Sequence, residues 1–151
     1  SRAARHCSSG IVVSGLDDVL VRFAKCCNPL PGDSVVGFVT RGRGITVHHH
    51  MCSRGLDIDP ERRIEVDWDE STKIRRPVKI RVTTEDRPGI LAVISQTFTD
   101  NAVNIAEANC KVTGDDKAEN TFEILIHDKD QLRIVMAKIR QIKGVVSIDR
   151  T

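Results

Sequence analysis

The chain has 151 residues, 40% hydrophobic and 29% charged, with a formal net charge of +2; at about 100–200 residues per domain, that allows one average domain or two small ones and excludes wholesale disorder. No apolar run approaches the ~20 residues of a membrane-spanning helix, and no charged start leads into an apolar core, so neither a membrane nor a secretory route is expected. Four Phe, one Trp and no Tyr argue against recognition of nucleic acid by stacked bases, while five cysteines, two of them adjacent, argue against a secreted disulfide framework and for metal binding in a reducing cytoplasm.

The chain opens at Ser1, with methionines only at Met51 and Met136, and is expected to be a piece of something longer. Ile11-Val12-Val13 and Val19-Leu20-Val21 read as short strands or core segments. Val35 to Thr40 and Ile45 to His49 flank Arg41-Gly42-Arg43-Gly44, the pattern of a β-hairpin with a glycine-relaxed tip. Ile64, Val66 and Trp68 alternate as a further strand. Residues 1–59 carry seven basic and five acidic side chains, residues 60–76 five of each, and residues 77–151 eleven of each, so the excess positive charge lies at the front. Dense mixed charge around Trp68, followed by Arg75-Arg76-Pro77, marks a boundary. The reading is a domain over 1–70, a linker over 71–77 and a second domain over 78–151.

The second half is regular. Val78, Ile80 and Val82 alternate as a strand. Asp86 is expected to cap a helix with Pro88 in its first turn, and Ile90, Leu91, Val93, Ile94 and Phe98 supply its apolar face up to Asp100-Asn101. Val103 to Val112 is a strand, residues 114–117 a turn, and Phe122, Ile124 and Ile126 a third strand. Leu132, Val135, Ile139 and Ile142 step as a helix ended by Gly144, and Val145 to Ile148 is a last strand. The fold class is therefore α+β: a small β-rich domain followed by a ferredoxin-like βαββαβ unit.

A front domain of this size would struggle to hold itself together by its core alone. Twenty residues separate Cys27 from His48, and three separate His48 from Cys52. With Cys26 these make three thiols and an imidazole, the ligand set of a structural tetrahedral zinc site. Adjacent cysteines reach one ion only if the backbone turns sharply, which Asn28-Pro29-Leu30-Pro31-Gly32 favours. On a strand, His48 and His49 face opposite ways, so only one serves; His48 is the choice. Ordinary unliganded cysteines are the competing reading. Four protein ligands would leave no open position for metal catalysis.

Arg22, Lys25, Arg41, Arg43 and Arg54 stand against the single acid Asp33 between positions 22 and 54. Such a surface suits phosphate contacts on RNA, read by backbone and shape; a solvated turn is the plainer alternative. In the second half, Asp86 and Gly89 lie at a helix start, with Asn101 and Asn104 at its far end. Together these four describe an amino-acid effector site, or else simple capping and a tight turn. The sheet edge offers pairing with a second copy. No nucleophile–base–orienter set, P-loop or paired carboxylates are present.

Residues Ile11 to Asp33, with their Cys26-Cys27-Asn28-Pro29-Leu30-Pro31-Gly32-Asp33 run, and Gly37 to His48 with Cys52 resemble the zinc-finger segment, or ribosome–intersubunit domain, of long RelA/SpoT homologues. Val78 to Arg150, with Glu85-Asp86-Arg87-Pro88-Gly89-Ile90-Leu91, resembles the ACT domain that closes those proteins. The resemblance implies a zinc held by Cys26, Cys27, His48 and Cys52. It also implies a cytoplasmic, non-catalytic C-terminal module of an enzyme that makes and hydrolyses (p)ppGpp in the stringent response. The implied partners are ribosomal RNA and tRNA, the parent catalytic domains, a branched-chain amino acid at the ACT domain, and a second ACT copy. One departure stands out: His49 occupies the place where the family usually has arginine, which bears on one RNA contact or on competition of His49 or His50 for the metal.

Overall fold

Short β-branched runs separated by turn formers build the first part of the chain. In the computed structural model, which describes residues 10–13, 19–42, 44–70 and 73–151, they form β1 (Ile11–Val13), β2 (Val21–Phe23), β3 (Val35–Val39) and β4 (Ile45–His49), followed by a one-turn helix α1 (Ser53–Leu56). A 3-10 turn at Pro60–Arg62, capped by the Asp59 carboxylate accepting from the Glu61 amide at 3.0 Å, leads into β5 (Arg63–Ile64) and β6 (Val66–Trp68). The expected hairpin forms: β3 and β4 pair antiparallel, and the Thr40 amide donates to the Gly44 carbonyl at 2.8 Å to close its tip. β2 joins β4 in parallel and β5 joins β3 antiparallel, giving the sheet order β2-β4-β3-β5.

The alternation of Ile64, Val66 and Trp68 does not make one strand. β6 pairs with β1 in a separate two-stranded sheet, while β5 stays on β3. The chain changes sheets across Glu65, yet Ile64 and Val66 still face the same core. Period-two patterning marks which side is buried and is silent on which strand is the partner. That core is Ile11, Ile45, Val47 and Val66, with Trp68 stacked on Phe23 at 5.6 Å and 9°. Gly37 lets the two sheets meet: a Cβ there would stand 2.8 Å from Val66 Cγ1, 2.9 Å from Ile45 Cγ2 and 3.0 Å from Ile64 Cγ2.

Contacts divide the chain between Ile74 and Arg75 into two compact units. In the second, β7 (Arg76–Glu85) starts two residues ahead of the expected Val78 and is followed by α2 (Ile90–Asp100), β8 (Asn104–Thr113), β9 (Lys117–Ile126), α3 (Lys129–Arg140) and β10 (Val145–Arg150). The four strands order as β10-β7-β9-β8, antiparallel throughout, which is the expected βαββαβ unit. Alternate residues of β7 and β9 are buried against Ile90, Ile94 and Phe98 of α2 and Leu132, Val135 and Ile139 of α3. Two of the buried strand residues are polar. The Asn120 amide donates to the Thr84 hydroxyl and to the Val82 carbonyl, each at 3.2 Å.

Helix ends differ from expectation at α2. Asp86 does not cap it; the N-cap is Gly89 at φ +81°, a left-handed conformation that suits glycine, and no side chain caps the helix. The Asp86 amide instead donates to the Asp116 carbonyl at 2.8 Å. α3 is capped by Asp128, whose carboxylate accepts from the Gln131 amide at 2.8 Å. Gly144 lies beyond the C-cap Gln141, in the turn to β10. No helix among the described residues is long and apolar enough to cross a membrane. For Gly37→Ala, overpacking of three β-branched neighbours should cost about 1–3 kcal/mol, read as a lower denaturant midpoint in Trp68 fluorescence; an unchanged midpoint would mean the sheets separate easily.

Candidate metal centre

Four side chains converge where the turn after β2, the end of β4 and the start of α1 meet. The Asn28 amide donates to the Ala24 carbonyl at 2.9 Å, closing one tight turn that holds both Cys26 and Cys27, and Asn28 itself sits at φ +40°. Asparagine tolerates that left-handed geometry better than most side chains. Leu30 then anchors the loop, fully buried, and its amide donates to Asp33 Oδ2 at 2.8 Å.

From the other side, His48 is buried on β4, its ring edge-on to Phe38 at 5.6 Å and 83°. α1 passes close to that ring at Gly55, where a Cβ would stand 3.3 Å from His48 Cβ and Cγ. His49 turns the opposite way: its Nε2 is 4.0 Å from Asp33 Oδ1, and its Nδ1 accepts from the Met51 amide at 3.3 Å. Strand parity thus separates the two histidines. His50 is exposed.

The ligand atoms of Cys26, Cys27, His48 and Cys52 all lie within 4.8 Å of one another, and the group could hold a metal ion. Cys26 Sγ is 3.5 Å from Cys52 Sγ, 4.0 Å from Cys27 Sγ and 3.5 Å from His48 Nδ1, which is 3.9 Å from Cys27 Sγ. Zinc bonded tetrahedrally at about 2.3 Å to sulfur and 2.0–2.1 Å to nitrogen sets sulfurs about 3.8 Å apart and sulfur and nitrogen about 3.6 Å apart. The residues present fit that ion.

Without a cation the three thiols titrate apart. Burial pushes Cys27 up to about 12, against the His49 amide that donates to its sulfur at 3.2 Å. Burial and the hydrogen bond with Cys52 also raise Cys26. Cys52 moves the other way: burial opposes ionisation, but the His48 ring, the Gly55 and Arg54 amides and Cys26 together lower it to about 6. One sulfur is therefore ready as thiolate near neutrality, and the other two need a cation to lose their protons.

The expected basic residues Arg22, Lys25, Arg41 and Arg54 are all exposed; Arg43 lies outside the described residues. Lys25 precedes Cys26 in the turn, Arg54 is on α1 beside Cys52, and Arg22 is on β2. Arg41 is at the hairpin tip, past the Thr40–Gly44 closure and so more than about 13 Å along the hairpin from His48 at 3.3 Å per residue. Lys25 and Arg54 are thus chain neighbours of the thiols, while Arg22 and Arg41 lie elsewhere on the unit. The register adds a residue that sequence reading missed. Arg22 pairs with Thr46, Thr46 with Phe38, and Phe38 with exposed Arg63, so Arg22 and Arg63 end one cross-strand row on the same face. Nothing local signals this, because it depends on which strand β5 joins.

The four expected effector residues do not converge. Gly89 and Asn101 stand at opposite ends of α2, whose eleven residues span about 16 Å. Asn101 is already engaged, donating to the Thr97 carbonyl at 2.7 Å and accepting from Lys138 Nζ at 2.8 Å. Asp86, Gly89 and Asn104 are exposed.

The thiol electrostatics give a countable outcome. Zinc titrated into the metal-free chain at pH 7 should release close to two protons from the thiols, because Cys52 is already largely ionised. The count should rise by one from Cys52 as pH falls through about 6. Calorimetry in buffers of different ionisation enthalpy checks this; three thiol protons at pH 7 would contradict the low Cys52.

Comparison with known proteins follows the same division. A family model described as the RelA/SpoT RIS domain matches residues 11–69, and one described as the ACT domain matches residues 73–150. The chain is 54% identical over 142 residues to a GTP pyrophosphokinase of Myxococcus xanthus, covering 94% of this chain and 19% of that protein. It is 36% identical over 143 residues to the bifunctional (p)ppGpp synthase/hydrolase RelA of Mycobacterium tuberculosis, covering 93% and 19%. The crystal structure of the ACT domain from the GTP pyrophosphokinase of Chlorobium tepidum aligns with 51% of this chain and 99% of that one, with a TM-score of 0.46 and 23% identity. The chain spans about a fifth of the length of the curated relatives it matches. With a Cys/His cluster that could hold a metal ion inside the RIS match and a βαββαβ unit inside the ACT match, the chain belongs to the RelA/SpoT family as a RIS domain followed by an ACT domain.

Proposed function

We propose that this chain is a non-catalytic, C-terminal regulatory module of a (p)ppGpp synthetase/hydrolase, acting in the cytoplasm. Its front unit docks on ribosomal RNA and its ACT unit mediates regulatory contacts. The pyrophosphate chemistry named for its relatives belongs, on this reading, to catalytic domains outside the matched region. The observation that carries it is the four-ligand cluster of Cys26, Cys27, His48 and Cys52 in a unit that exposes Arg22, Lys25, Arg41 and Arg54. Zinc with four protein ligands keeps no position for a reacting water; it serves as a scaffold. Fixing β4, α1 and the turn after β2 in place preorganises the cations they carry, and guanidinium groups bind phosphate oxygens two at a time. Arg43 enters the proposed set from the sequence alone.

A second reading, self-association through the ACT unit, has its own observation. β8 is an edge strand exposed over nearly its whole length. Ala108, Cys110 and Val112 pair with buried Phe122, Asn120 and Ala118, so they lie on the helix-bearing face of the sheet, yet they are exposed, Val112 by 61%. An unpaired edge with an uncovered apolar side is a template for a second copy. A branched-chain amino acid at the ACT unit has no comparable support, since its four expected contacts lie apart.

Metal analysis of the purified chain should find one zinc per chain. For that zinc-loaded chain on duplex ribosomal RNA, log affinity should fall linearly with log salt, and Arg41→Ala should reduce the slope by about 0.9 per lost phosphate contact. An unchanged slope removes Arg41 from the contact surface, and a flat slope in the parent chain defeats RNA docking. Sedimentation at several concentrations tests the second reading. Val112→Lys should weaken association about tenfold or more, equivalent to about 1.4 kcal/mol, and a chain that stays monomeric at all concentrations rules out pairing through β8.

A further inference from the structure

We propose that His49 and the buried Asp33 form a brace that joins the two ligand-bearing loops, which makes His49 a positioning residue of the metal centre and not a ligand. The inference rests on the metal reading above and deepens it. Two loops supply the thiols: residues 24–33 carry Cys26 and Cys27, and residues 49–52 carry Cys52. The β-hairpin lies between them in sequence.

His49 touches both loops through four groups. Its amide donates to Cys27 Sγ at 3.2 Å, and its carbonyl accepts from the Cys52 amide at 2.9 Å. Its ring Nδ1 accepts from the Met51 amide at 3.3 Å, and its Nε2 stands 4.0 Å from Asp33 Oδ1. An accepting Nδ1 in a neutral ring places the proton on Nε2, the nitrogen turned toward the carboxylate. At 4.0 Å this is an electrostatic contact rather than a direct hydrogen bond, and one water could bridge it.

Asp33 is fixed at its own end. Its side chain is 3% exposed. Oδ2 accepts from the Leu30 amide at 2.8 Å, and its carbonyl accepts from Trp68 Nε1 at 3.0 Å. A carboxylate buried this deeply is costly unless partners face it. Leu30 lies three residues beyond Cys27, and Met51 is next to Cys52. The pair thus links the backbone beside one ligand to the backbone beside another. Groups that orient ligands without touching the metal commonly change its affinity about 10- to 100-fold.

A double-mutant cycle on the full 151-residue chain tests this, with the zinc dissociation constant measured by chelator competition. His49→Asn keeps an acceptor near the Nδ1 position for Met51 but is too short to face Asp33. Asp33→Asn removes the charge and still accepts from Leu30. Each single variant should bind zinc about 10- to 100-fold more weakly, and the double variant should be little weaker than the poorer single, because one shared interaction is lost once. Cobalt loaded in place of zinc should keep the parent's absorption bands in every variant. Unchanged zinc affinity in both singles overturns the brace, as do losses that multiply in the double. Altered cobalt bands in the His49 variant would make His49 a ligand and overturn it equally. Should His49→Asn fail to fold, Asp33→Asn decides alone: parent-like affinity rejects the proposal, and a loss with unchanged cobalt bands supports it. A parent chain that takes up no metal would overturn the metal reading as well, which separates the two failures.

Discussion

Sulfur atoms separated by 3.5 and 4.0 Å repel one another once ionised, and the amide hydrogen bonds that the protein supplies at Cys27 and Cys52 offset only part of that repulsion. A divalent cation resolves that conflict at a stroke. A structural zinc contributes on the order of 10–16 kcal/mol to folding, which equals or exceeds the whole 5–15 kcal/mol stability of an ordinary domain. The sheets of the front unit are short, its core is small, and its ligand loops carry few apolar anchors besides Leu30. A metal bound by the four side chains would add to the burial of that core, and would hold the turn after β2, the end of β4 and the start of α1 together.

The ACT unit is secured differently. Two ten-residue strands, β7 and β9, pair along their full length. Buried residues alternate along both, and two amphipathic helices seal one face. Nothing in that arrangement needs a cofactor. What it leaves over is β8, joined on one side and exposed on the other, with apolar side chains on the face that elsewhere packs against helices. On the proposed reading the two units offer different kinds of contact: one a basic surface for phosphate, the other a sheet margin for backbone pairing.

Much of this was legible in the residues. The alternation of Phe122, Ile124 and Ile126 and the helical spacing of Leu132, Val135 and Ile139 fix their elements because buried faces impose the period. That His48 and His49 do not both serve follows from strand parity; parity alone does not say which one does. Other features depend on partners distant in sequence and leave no local trace. Ile64 and Val66 keep one alternating pattern while belonging to different sheets. Arg63 joins the row of Arg22 only through the pairing of β5 with β3. Asp33 reads as a lone acid in a basic stretch, and its contacts with Trp68 and His49 come from tertiary packing. The expected cap at Asp86 failed because the chain enters α2 through a left-handed glycine, so the turn and not a side chain sets the helix start. The four expected effector residues divide between the two ends of α2, a separation that their closeness to one helix in sequence does not reveal.

The buried amide of Asn120, bonded to Thr84 and Val82, has a consequence for how the ACT sheet finds its alignment. A ladder of purely aliphatic pairs could slide by two residues and still bury the same face. Here a slide that pairs Asn120 with Ile80 would carry the Thr84 hydroxyl away from the amide and leave it a backbone carbonyl as its acceptor. One polar rung among greasy ones thus weighs against that offset, which hydrophobicity alone would not penalise.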